Sequence, residues 1–109
     1  MAPEEAGTRA DNEEQLAEAV RTEMGQLLNK RLADAVDRFD QTKPSHWNVK
    51  GPQFIALHEL FDTIAGHVEG FADLLAERAV QLGGVAEGTC QVVAERTSLK
   101  ASPRTSFEL

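Results

Sequence analysis

A chain of 109 residues holds one domain at most, and a formal net charge of −7 argues against wholesale non-specific binding to nucleic acid. Its single cysteine, Cys90, has no internal disulfide partner, so a reducing, cytosolic setting is expected. There is no run of about 18 apolar residues and no apolar leader at the N-terminus, so neither a membrane span nor secretion is predicted.

Residues 1–12 carry Pro3, Gly7 and mostly charged or small side chains, too little apolar surface to offset ordering, and read as a flexible arm. The arm sets Glu4, Glu5 and Asp11 against one Arg9, so it is no basic tail for phosphates. From about Glu13 the period turns helical: Leu16, Val20, Met24, Leu27, Leu28, Leu32, Val36 and Phe39 recur every three or four residues. Asp11 or Asn12 can cap this helix, with Glu13 and Glu14 complementing the positive end of its dipole. Pro44 either ends it near Thr42 or kinks it, leaving His46 on the last turn. Lys50-Gly51-Pro52 is a break, and a second helix is predicted from about Pro52 to Leu82. Its apolar stripe is Leu57, Phe61, Ile64, Val68, Phe71, Leu75 and Leu82, and Gly83-Gly84 stops it. Glu87 to Arg96 can form a short third helix, and Thr97 to Leu109 reads as loop or frayed tail. The fold class is all-α: a helical hairpin plus a short helix over residues 13–103, with 104–109 as tail. Phe54, Leu60 and Leu74 lie off the main stripe, so the hairpin is apolar on more than one side and self-association is expected.

The chemistry gathers between His46 and Glu77. His58 and Asp62 are one helical turn apart, as are Asp73 and Glu77, and all lie beside the apolar stripe. The step from Asp62 to Asp73 returns to within roughly 20° of the same face but advances about 16 Å, too far for one ion to use both pairs. A second copy laid antiparallel, about a two-fold axis near residues 67 and 68, brings His58 and Asp62 of one chain opposite Asp73 and Glu77 of the other. Small residues at Ala65-Gly66 and Gly70 would let the backbones approach there, with His67 at the interface or on the surface. Imidazole nitrogens mixed with carboxylates suit Fe(II), Mn(II) or Zn(II), and no thiolate belongs to the set. The plainer alternative is a solvated acidic face with incidental histidines. Trp47 reads as a packing anchor and Cys90 as inert; no phosphate loop, dinucleotide fingerprint or nucleophile elbow occurs.

The runs His46-Trp47-Asn48-Val49-Lys50-Gly51-Pro52-Gln53-Phe54, Leu57-His58-Glu59-Leu60-Phe61-Asp62 and Ala76-Glu77-Arg78-Ala79-Val80-Gln81-Leu82-Gly83-Gly84 closely resemble the Dps family of mini-ferritins. The likeness runs from near Leu27 to about Pro103. It implies a ferritin-like fold and a ferroxidase centre between two-fold-related subunits, with His46, His58 and Asp62 from one chain and Asp73 and Glu77 from its mate. It further implies Fe(II) as substrate, hydrogen peroxide or oxygen as oxidant, ferric mineral held in a dodecameric cage, DNA protection, and Trp47 close to the iron. Family subunits are four-helix bundles, and the likeness here covers their first helix pair. Several members bind DNA through a lysine-rich arm; the acidic arm here speaks against direct DNA binding. Two rival readings are a non-catalytic helical association module and a nucleoid-binding protein.

Overall fold

The charged run ahead of the His46 motif forms one 40-residue helix, α1 (Arg9–Asn48), in the computed structural model, which describes residues 9–102, 107 and 108. The helix starts at Arg9 and not near Glu13, so Asp11 and Asn12 lie inside it and are not caps, and residues 9–12 do not belong to an arm. Extending a helix already nucleated costs little per residue, and acids in its first turns favour the dipole. The rest of the expected arm, residues 1–8, lies outside the described residues.

Pro44 sits inside α1 without ending it. Three side chains tie the surrounding carbonyls: Thr42 Oγ1 donates to Arg38 O at 2.7 Å, Ser45 Oγ to Gln41 O at 3.1 Å, and Asn48 Nδ2 to Pro44 O at 2.7 Å. The helix runs four residues past the proline and carries His46 on its last turn.

A two-residue extended segment, β1 (Val49–Lys50), follows, and Gly51 then turns the chain at φ +109°. The second helix, α2 (Phe54–Gln81), begins two residues later than expected because Gly51-Pro52-Gln53 is spent on the turn, where Phe54 N–H donates to Gly51 O at 3.1 Å. It ends where Gly83 takes φ +89°, with Gly83 N–H donating to Val80 O at 2.9 Å and Gly84 N–H to Ala79 O at 3.0 Å. Ala65 and Ala79 of α2 are buried, as are Leu32 and Ala33 of α1; small side chains let the antiparallel helices pack closely.

The connection to the third helix is fixed by Asn29, which is only 7% exposed. Its Nδ2 donates to Val85 O and its Oδ1 accepts from Glu87 N–H, both at 2.9 Å. The third helix, α3 (Cys90–Arg96), is three residues shorter at its start than expected, because Thr89 caps it and accepts from Val92 N–H. Val93 buries this short helix against the rest of the chain.

The stretch after α3 is not the frayed tail its sequence suggests. Thr97 Oγ1 donates to Asp37 Oδ2 at 2.6 Å, Ser98 N–H to Asp34 Oδ1 at 2.8 Å, and Ser102 N–H to Gln41 Oε1 at 2.7 Å. These contacts strap residues 97–102 along α1. The bond from Ser98 holds the Asp34 carboxyl below its ordinary range, with the Ser98 hydroxyl and Arg31 adding to it. Beyond it, β2 (Phe107–Glu108) pairs in parallel with β1, Val49 opposite Phe107 and Lys50 opposite Glu108. Residues 103–106 and 109, part of the expected tail, lie outside the described residues.

The fold is otherwise all-helical and elongated, 79 × 22 × 17 Å, with a radius of gyration of 20.6 Å against about 13 Å for a compact domain of this length. A core of mostly small side chains along one seam is all that a single hairpin can bury.

Candidate metal centre

The turn at Gly51 folds the start of α2 back on the end of α1, which sets His46 against His58. The two histidines hold each other: His46 Nδ1 donates to His58 O at 2.6 Å, and His58 Nδ1 donates to His46 O at 2.8 Å. A carbonyl can only accept, so both Nδ1 atoms carry the hydrogen, and in the neutral imidazole the lone pair is then on Nε2. That is the tautomer a metal ion requires, and the backbone carbonyls serve as the outer partners that aim ligating imidazoles. The rings stack at 3.7 Å between centroids, 21° apart, and Phe54 stacks on His58 at 5.0 Å.

Asp62 stands one turn beyond His58 on α2 and is exposed. Its Oδ1 accepts from Lys43 Nζ at 2.9 Å, which holds the carboxyl below its ordinary range; the Lys43 charge and the nearby imidazoles act in the same direction. Lys43 was not among the residues singled out from sequence, and Phe54 was noted there only as an off-stripe apolar residue and the end of the His46 motif. Lys43 lies three positions before His46, one turn away on the same helix face, and that spacing was the available signal.

Asp73 and Glu77 are also exposed on α2, further along the helix. The structure therefore brings His46 and His58 together with Asp62 beside them and leaves Asp73 and Glu77 apart. Among the described residues of one chain, no group of three or more His, Cys, Asp or Glu side chains converges closely enough to hold an ion. Midway between the two pairs, Gly66 and Gly70 are exposed, and a Cβ added at either would meet nothing within 4 Å. His67 is exposed as well, but at about 100° per residue it falls well off the arc shared by Asp62, Gly66 and Asp73. Trp47, directly after His46 on the last turn of α1, is 66% exposed, so within this chain it is not a packing anchor. Cys90 is exposed and donates to Gln91 Oε1 at 3.2 Å.

In kind, two imidazole nitrogens beside the Asp62 carboxylate suit a first-row divalent ion. No helix among the described residues is long and apolar enough to cross a membrane.

Comparison with known proteins points the same way. The profile of the ferritin-like domain family matches residues 25–109. The DNA protection during starvation protein of Agrobacterium fabrum is 48% identical over 83 residues, covering 76% of this chain and 51% of that one. That of Brevibacillus brevis is 38% identical over 74 residues, covering 68% of this chain and 50% of that one. Among solved structures, Mycobacterium smegmatis Dps superposes with a TM-score of 0.80 at 30% identity, covering 84% of this chain and 56% of that one. The chain thus spans about half the length of the curated relatives it matches. The chain thus belongs to the ferritin-like domain family, and within that family it resembles the Dps proteins.

Proposed function

We propose that this protein binds and oxidises Fe(II) at a site built by two antiparallel copies. His46, His58 and Asp62 come from one chain and Asp73 and Glu77 from its mate. The observation that carries the reading is the reciprocal bonding of His46 and His58, which leaves both Nε2 atoms as donors beside the Asp62 carboxylate. The arithmetic of α2 supports the sharing. Positions 58 and 77, and likewise 62 and 73, are centred between residues 67 and 68, and the open flank at Gly66 and Gly70 lies at that centre.

The residues divide the work by charge. The imidazoles donate neutral nitrogens, which suit the Fe(II) substrate, and the carboxylates stabilise the more highly charged Fe(III) product. With hydrogen peroxide as oxidant, two Fe(II) ions each give up one electron, the O–O bond accepts both, and hydroxide results. Oxygen is the alternative oxidant. Removing Fe(II) and peroxide together suppresses hydroxyl radicals, which connects this chemistry to the DNA protection in the relatives' names. Storage of the ferric product, assembly into a larger homo-oligomer and a cytoplasmic location belong to the same reading. Protection would then rest on iron chemistry and not on direct contact with DNA, given the net charge of −7.

The test is peroxide-dependent Fe(II) oxidation by the wild-type chain and by Asp73→Ala/Glu77→Ala. The wild type should outpace buffer, and the double variant should fall by at least the roughly 10–100-fold typical of lost metal-site groups. A wild type no faster than buffer would favour the helical association module instead.

A further inference from the structure

Phe54 does not fit the apolar pattern of α2. It lies off the main stripe and is 37% exposed, so the seam between the helices does not account for it. What it touches is His58: the ring centroids are 5.0 Å apart and the planes 30° apart. Phe54 opens α2 four residues before His58, and side chains four apart on a helix lie one above the other on one face.

The His58 imidazole is thereby enclosed. His46 stacks on it at 3.7 Å, and an imidazole face that carries one ring so closely has no room for a second beside it, so Phe54 covers the other face. The Nδ1 edge is tied to His46 O at 2.8 Å, which leaves Nε2 as the edge that can donate to a metal ion. His46 is anchored in a different way. Its Nδ1 bond ends on the main-chain oxygen of His58, which does not move when the His58 side chain turns.

The place of His58 in the chain makes the cover necessary. The start of α2 has no side-chain cap at Gln53 and no acid in its first turn. Backbone bonds hold it, Phe54 N–H to Gly51 O and Leu57 N–H to Gln53 O, both at 3.1 Å. A half-buried imidazole just inside such a turn is free to change χ1 unless something packs on it. A flat ring matches the face of an imidazole, which an aliphatic side chain covers only in part.

We propose that Phe54 is a positioning residue for the metal centre: its ring holds the His58 imidazole flat against His46, so that Nδ1 stays on the His46 carbonyl and Nε2 is presented to the ion. This rests on the iron reading above, in which His58 is a ligand, and adds to it a residue with no donor atom of its own.

The first test uses nitrogen NMR of the metal-free chain at about pH 8.5, where ordinary imidazoles are neutral. In the wild type both His46 and His58 should be in the Nδ1–H form. In Phe54→Ala, His58 should become a mixture of the two tautomers while His46 keeps its own, and Phe54→Tyr, which retains the ring, should restore the wild-type pattern. Loss at His58 alone separates positioning from a merely structural role, because unravelling of the turn would release both histidines together. An unchanged His58 in the alanine variant, loss at both histidines, or no recovery with tyrosine would each overturn the inference. The second test is titration with Co(II), followed by its visible absorption. Phe54→Ala should bind more weakly by about 2–12-fold, the ratio an aromatic pair contributes, and Phe54→Tyr should bind as the wild type does. A wild type that binds Co(II) and an alanine variant that binds it equally well would overturn this inference and leave the iron reading standing. A wild type that binds no Co(II) would overturn the iron reading itself, and the role of Phe54 with it.

Discussion

Three side chains carry claims that can be tested one residue at a time. If His58 supplies one donor to each of two shared sites, then His58→Ala impairs both sites of a dimer. Mixing that variant with Asp73→Ala/Glu77→Ala should restore one intact site per heterodimer, read as recovered Fe(II) oxidation after separation of the mixed species. No recovery in verified heterodimers would contradict sharing between chains. Lys43 makes a second claim testable. Its ammonium holds the Asp62 carboxyl below the ordinary range, so Lys43→Gln should move the Asp62 midpoint upward, as followed by NMR titration. The third is Asp34. Its folded-state pKa lies below the unfolded value of about 3.9, so its contribution is fully present above that value and lost as the pH falls through the folded pKa. Exchange of the Ser98 amide, measured against the intrinsic rate of a free amide at the same pH, should therefore accelerate below about pH 4. Asp34→Asn should accelerate it already at neutral pH, costing about 1–2 kcal/mol in strap docking.

At the level of elements, the helices follow from spacing but their ends do not. The 3.6-residue period along α1 and α2 is a local property of the chain, and so are the positive φ values at Gly51 and Gly83. Gly51→Ala should cost about 1 kcal/mol by forcing a Cβ into the left-handed region, measured as a lower midpoint in urea. Asn29 is different: it joins α1 to the 85–87 turn across 56 and 58 residues, which no local pattern reports. Asn29→Ala strands a carbonyl and an amide together and should cost about 2–3 kcal/mol, the largest effect expected of any single polar substitution outside the centre. The strap escaped notice for the same reason. Thr97, Ser98 and Ser102 have no periodicity, and their partners Asp34, Asp37 and Gln41 read from sequence as ordinary surface polar residues of a helix.

At the scale of the whole molecule, the hairpin is elongated, thin in its core and different on its two sides. The spacing of His58, Asp62, Asp73 and Glu77 along one helix was readable from the residues, because helix geometry converts sequence separation directly into angle and rise. The same arithmetic sets the two pairs too far apart for one ion, which is the ground for proposing that two chains share the centre. What the residues alone could not reveal is how His46 meets His58, since that depends on the chain turning back at Gly51 and bringing two helix ends to within hydrogen-bonding distance. Nor could they show that Lys43 reaches Asp62, that Trp47 faces outward, or that the segment after α3 lies bound along α1. Periodicity acts between neighbours in sequence, whereas each of these features depends on groups distant in sequence, and only the packed tertiary structure selects which of the many sterically possible partners they find.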